Sequence, residues 1–142
     1  MDFQQKERYT IGDLEHIIAL LRAPGGCPWD IEQTHQRVRA NLIEETYEAV
    51  EAIDTNNMEL LKEELGDVLM QVLFHAQMEA EQGTFTFADV VDGVAKKLVV
   101  SHPHVFGNVK VKDSAQVLSN WDEIKKKTKS QTTQTEVLES VS

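Results

Sequence analysis

The segment from Met58 to Glu81 constrains this chain more than any other. It contains no proline, and its apolar residues recur at helical spacing. One stripe reads Leu61, Leu65, Val68, Leu69, Val72 and Ala76, while Leu60, Met70, Phe74 and Met78 project from the other side. A helix apolar nearly all round is buried nearly all round. In a short chain, that predicts packing against a second subunit as well as against its own helices. Two poor helix formers, Gly66 and Asp67, interrupt the middle. Together they cost roughly 1.5 kcal/mol relative to alanine, so an aspartate and a glycine at this place need a reason.

The remaining segments are also helical. Thr10 to Asp13 has the form of a capping box, followed by Leu14, Ile17, Ile18 and Leu21. Ala23-Pro-Gly-Gly-Cys-Pro28 is too rich in proline and glycine for anything but a loop. A second helix is expected from about Thr34 to Ile53, with Val38, Leu42, Ala49 and Ile53 in one stripe. Asp54 to Asn57 is a turn and a new N-cap, and Gly83 ends the long helix. Thr86-Phe-Ala-Asp89 opens a fourth helix that closes near Ser101, before Pro103. Residues 102–112 are loop or briefly extended, and a fifth helix covers roughly 113–128. No strand pairing is evident. The fold class is all-α: an antiparallel bundle of about five helices, completed by a second subunit, over residues 1–128, with a polar, disordered tail at 129–142.

The chain has 142 residues, 41% of them apolar and 27% charged, which suits one globular domain. Its net charge of −10 argues against nonspecific binding to a nucleic acid backbone. It does not exclude a phosphate ligand, because divalent cations between acids and phosphate invert the local field. No apolar run reaches the length of a membrane span, and the N-terminus lacks a secretory pattern. Cys27 is a lone cysteine, so no internal disulfide forms. The cytoplasm is the expected location.

The acids are arranged in pairs. Glu45 and Glu48 stand three residues apart on the second helix, as do Glu64 and Asp67 on the third. Such spacing brings Cβ atoms within about 6 Å, so each pair can grip one ion. If the turn at 54–57 folds the helices antiparallel, the two pairs face each other. Acids so spaced also occur on ordinary solvated faces, and spacing alone leaves both readings open. Buried together, they would take up protons unless a hard divalent cation, Mg²⁺ or Mn²⁺, paired with them. The one Glu-x-x-His spacing, Glu32 to His35, lies next to a loop and makes a weak case for a di-iron bundle.

These residues resemble the MazG family of nucleoside triphosphate pyrophosphohydrolases. The family's E-E-x-x-E and E-x-x-D signature appears as Glu44, Glu45, Glu48 and then Glu64, Asp67. The similarity extends through Gly25-Gly-Cys-Pro-Trp-Asp30, Gln33-Thr-His35, His102-Pro-His-Val-Phe-Gly107, Asn120-Trp121 and Ile124-Lys125, over roughly residues 8–128. The resemblance implies helices that pair with a second subunit, as a homodimer or a tetramer. It also implies Mg²⁺-dependent cleavage of NTPs or dNTPs to a monophosphate and pyrophosphate, by water attacking the α-phosphorus, as nucleotide-pool house-cleaning. Glu45, Glu48, Glu64 and Asp67 would be catalytic metal ligands, with Glu44 beside them and Lys97 and Trp121 binding substrate. Trp121 serves equally well as a core aromatic. His102 and His104 suit a structural turn or a supporting role behind the metal ligands, Cys27 and Trp29 a loop anchor, and Asp30 an N-cap or a ligand.

Where the family has K-L-x-x-R, this chain reads Lys97-Leu-Val-Val-Ser101. Serine supplies no charge in place of arginine, which leaves phosphate binding to Lys96, Lys97 or another residue. Related readings are a hydrolase of one narrow substrate, such as dUTP or phosphoribosyl-ATP, and a weakly catalytic nucleotide-binding or interaction module.

Overall fold

The computed structural model describes the backbone of residues 3–141 and the side chains of residues 3–129. The helices are α1 (Ile11–Arg22), α2 (Pro28–Glu32), α3 (His35–Asp54), α4 (Met58–Gln82), α5 (Phe87–Ser101), α6 (Pro103–Phe106) and α7 (Ser114–Val141). The five long helices stand where the apolar spacing puts them. Two short ones, α2 and α6, occupy segments too brief to show a period, each with proline in its first turn. α7 continues past residue 128, and the side chains of the tail expected to be disordered lie outside the described residues. Among the described residues no helix is long and apolar enough to cross a membrane.

Local chemistry sets the boundaries. Thr10 Oγ1 accepts from the Asp13 amide at 3.2 Å, and the Asp13 carboxylate accepts from the Thr10 amide at 2.8 Å. Thr86 and Asp89 repeat this box ahead of α5. Asn57 caps α4 by accepting from the Leu60 amide at 3.2 Å. Gly83 ends α4 at φ 75°, a conformation that favours glycine. Gly26 lets the chain turn back under α1, since a Cβ there would stand 2.4 Å from the Leu20 carbonyl oxygen.

The chain divides into two compact units, residues 1–90 and 91–142. In the first, α3 and α4 pack along their length as an antiparallel hairpin, α1 lies against α4, and α2 lies against α1. Ile18, Val38, Leu73, Phe74 and Met78 form the core, with Leu14 and Phe87 packed on it. Arg22 pins three elements together. Its guanidinium pairs with Glu81 on α4, donates to the carbonyls of Asp30 and Gln33, and lies 5.4 Å from the centre of the Phe74 ring.

Neither apolar side of α4 is buried as a whole: Ala76 of the main stripe is buried, and Met70 of the other side is exposed. The Phe74 and Met78 side enters the chain's own core, while Leu65, Leu69 and Val72 from the main stripe stay exposed. On α3, Val38, Ala49 and Ala52 are buried, but Ile53 is not. The period identifies an apolar face without saying which molecule covers it. Gly66 is equally open: a Cβ there would meet nothing within 4 Å.

Candidate acidic metal site

The antiparallel packing of α3 and α4 brings Glu45 and Glu48 opposite Glu64. One carboxylate oxygen from each lies within 4.8 Å of the other two. Glu64 is 7% exposed, and Glu45 and Glu48 are half-buried. Oε2 of Glu45 and Oε2 of Glu64 are both buried without a hydrogen-bond partner. Asp67 stands outside the three-oxygen cluster, but its charge reaches both Glu45 and Glu64. Glu44 is exposed on the adjoining face of α3.

This crowding of negative groups shifts their ionisation. Burial, first, and then the hydrogen bond and charge of Glu48 push Glu64 up to about 7, with Glu45 and Asp67 adding to the shift. Glu45 is raised too, chiefly by burial and then by the charges of Glu48 and Asp67. Buried acceptors with no donor are rare in folded proteins, and each carries a desolvation penalty. An arrangement of oxygens alone, short of both hydrogens and positive charge, fits a hard divalent cation.

Lys97 and Trp121 belong to the second unit. Lys97 is exposed on α5. The Trp121 indole N–H donates to the Ser101 carbonyl at 2.5 Å, and His102 meets the ring edge-on at 5.0 Å between centres. His102 Nδ1 also bonds the Leu98 carbonyl at 2.7 Å, the helix-ending contact of a structural turn. Ser101 turns its hydroxyl to the Leu98 carbonyl. In the Gly-Gly-Cys-Pro loop, Cys27 is held through its amide, bonded to the Leu21 carbonyl. Trp29 remains 57% exposed, and Asp30 lies within α2 instead of capping it.

Sequence reasoning missed a second polar cluster. His35 turns away from Glu32 and reaches α4, where its Nδ1 lies 2.7 Å from Nδ1 of His75 and its Nε2 lies 2.5 Å from Glu79. It also missed Gln71, which is 6% exposed with its Oε1 unpartnered. The spacing of Gln71, His75 and Glu79, four residues each, was the available signal. It was obscured because these residues alternate with the apolar residues of the core.

The family model described as MazG nucleotide pyrophosphohydrolase domain matches residues 33–106. The chain is 52% identical over 125 residues to the uncharacterized protein YabN of Bacillus subtilis, a match covering 88% of this chain and 25% of that protein. It is 48% identical over 113 residues to the nucleoside triphosphate pyrophosphohydrolase/pyrophosphatase MazG of Thermotoga maritima, covering 80% and 43%. It is 41% identical over 126 residues to the nucleoside triphosphate pyrophosphohydrolase of Escherichia coli K12, covering 88% and 48%. The chain thus spans from a quarter to about half of the length of these relatives. A crystal structure of a mazG-related protein from Thermotoga maritima superposes with a TM-score of 0.67 at 26% identity, over 82% of this chain and 99% of that one.

Proposed function

Since this chain belongs to the MazG nucleotide pyrophosphohydrolase family, we propose that it hydrolyses nucleoside triphosphates to a monophosphate and pyrophosphate at the acidic site, with Mg²⁺ bound there. The observation that carries this reading is the pair of buried, unpartnered carboxylate oxygens on Glu45 and Glu64 within the Glu45–Glu48–Glu64 cluster. Glu45, Glu48, Glu64 and Asp67 would hold the cation, which when bound neutralises the triphosphate and makes a bound water more acidic. The acids themselves fix the position of that charge from two helices locked together by the core. They also lend an oxygen to receive the proton of the attacking water. Glu44 stands at the edge of the site. Lys97 is the phosphate partner of this reading and Trp121 the base partner, while Ser101 contributes no charge.

Incubation with a panel of NTPs and dNTPs plus Mg²⁺ is expected to release pyrophosphate, and Asp67→Ala to remove that release. No release from any nucleotide, or full release from the variant, would sink the proposal. Ranking the rates across the panel, with dUTP and phosphoribosyl-ATP included, identifies the substrate.

Proton and cation compete for the same oxygens. The folded-state value of Glu64, about 7, stands above its ordinary 4.5. Between these values the native state holds a proton that the unfolded chain has lost, so this group's contribution to stability declines as pH rises through the window. The thermal stabilisation by Mg²⁺ is therefore expected to grow from pH 5 to pH 8. An equal increment in Tm at both ends would contradict this account.

A second copy of the chain is the proposed cover for the exposed hairpin face. Ile43, Tyr47 and Val50 on α3 and Leu65, Leu69 and Val72 on α4 repeat at four and three residues, and all are exposed. Light scattering is expected to give at least twice the chain mass, and Leu69→Glu to reduce it to one. A monomeric wild type would refute the pairing.

A further inference from the structure

The two ends of the α3–α4 hairpin are closed in different ways. At one end, residues 55–57 join the helices. At the other, His35 in the first turn of α3 meets His75 and Glu79 near the end of α4. His75 and Glu79 stand four residues apart and so share one face. The core residues Val38, Phe74 and Met78 lie within three positions of these side chains. The group is separate from the acidic site: His35 precedes Glu45 by ten positions, and His75 follows Glu64 by eleven, about 15 Å of helix in each case.

The rings of His35 and His75 are parallel to within 7°, with centres 4.9 Å apart and Nδ1 atoms 2.7 Å apart. That separation of centres is the nitrogen gap plus one ring radius on each side, so the imidazoles lie edge to edge. Two lone pairs at this distance repel, and two N–H groups collide. The contact needs one hydrogen between the nitrogens, no more and no fewer. A second hydrogen is needed between His35 Nε2 and the Glu79 carboxylate, 2.5 Å away. That carboxyl is held below its usual range, chiefly by this hydrogen bond and then by one from Thr84, so the hydrogen sits on the ring. The alternative, a protonated Glu79, would strand an N–H at His75 Nε2, a buried atom without a partner. Orphaned buried N–H groups are the rarer kind. His35 Nδ1 therefore accepts, His75 Nδ1 donates, and His75 Nε2 is bare.

This arrangement holds two protons on two rings and has no good place for more. A third would go to His75 Nε2, where no acceptor waits. A fourth would put hydrogens on both Nδ1 atoms and break the contact. A free imidazole becomes charged near about pH 6.5, and burial, then the charge of His35, holds His75 below that value. Just below pH 6.5 the unfolded chain therefore binds more protons than the folded one, and this group's contribution to stability is lost as pH falls. The sign is opposite to that of Glu64. Of the other charged groups at this end, Glu81 on α4 is paired with Arg22 on α1, and Arg37 on α3 donates to the Glu32 carbonyl of α2. Asp30 on α2 is half-buried, and the side chains of Glu32, Arg39 and His16 are exposed.

We propose that His35, His75 and Glu79 form an acid-released clasp, which ties the open end of the α3–α4 hairpin at neutral pH and lets it part in mild acid. Release is cooperative, because the Nδ1 contact must break before both rings can be charged. The clasp follows from ring geometry and a count of hydrogens, and it depends neither on metal binding nor on turnover.

Thermal unfolding of the whole metal-free chain at pH 7.5 and pH 5.0 tests the clasp. His75→Phe keeps a flat ring and removes both nitrogens. Between the two pH values the wild type is expected to lose more in Tm than this variant, by about 3 °C. Glu64 titrates alike in both proteins and is distant from His75, so it drops out of the comparison. A loss in the wild type no greater than in the variant overturns the proposal. Nitrogen NMR of the wild-type histidine rings decides the matter even where the variant does not fold. At pH 8 the hydrogens are expected on Nε2 of His35 and Nδ1 of His75, and on acidification both rings should charge over one shared interval. The opposite placement of the hydrogens, or two rings titrating independently near the free value, overturns the clasp.

Discussion

Glu64→Gln is expected to lower kcat/KM for pyrophosphate release by at least about 100-fold, the upper end of what loss of an outer partner of a metal site costs. The same variant should leave the metal-free protein as stable as the wild type or more so above pH 7. The two effects have one cause. Glu64 is 7% exposed and crowded by Glu45, Glu48 and Asp67, which with burial push its carboxyl up to about 7. Glutamine copies the shape of the protonated acid, so it relieves repulsion without opening a cavity. It also removes the charge that a cation requires, and Mg²⁺ should then raise Tm far less than in the wild type. Wild-type turnover, or a variant clearly less stable than the metal-free parent above pH 7, would show that Glu64 is held for packing and not for an ion.

The acids and the helices were legible because each is a local pattern. Helical period, the Thr10–Asp13 box and Gly83 are written within a few residues, and the structure repeats them. The pairing of Glu45 and Glu48 with Glu64 needed only one more step, a short turn at 54–57 between two long helices. What sequence did not disclose depends on which neighbour each face meets. Leu65 and Leu69 have the period of a core yet remain exposed, while Phe74 and Met78 occupy the core. Gln71, His75 and Glu79 were hidden for the same reason. The meaning of His75 and Glu79 lies in His35, forty residues away from His75, and no local rule joins the two. Asp67 has a candidate reason in the charge it adds beside Glu45 and Glu64. For Gly66, the structure offers only an open space.

Arg22→Met is expected to destabilise the chain by roughly 2–4 kcal/mol, near the cost of removing one partner from a buried ion pair. Methionine keeps most of the aliphatic length, so the loss falls on the guanidinium. That side chain is 9% exposed and links α1, α2 and α4 through four hydrogen bonds: to two oxygens of Glu81 at 2.8 and 3.1 Å, and to the carbonyls of Asp30 and Gln33 at 2.6 and 3.1 Å. Glu81 is 32% exposed and can be rehydrated, which places the expected value below the full penalty for a stranded charge. The Asp30 carbonyl keeps the Gln33 amide as a second donor, so the loss there falls on the tie between α1 and α2. Arg22→Lys should recover only part of the loss, since an ammonium cannot reproduce the planar fork that spans carboxylate and carbonyls together. Urea denaturation of the three proteins at one pH measures this directly. A methionine variant within 0.5 kcal/mol of wild type, the range of an ordinary surface change, would mean that the guanidinium follows the fold and does not hold it.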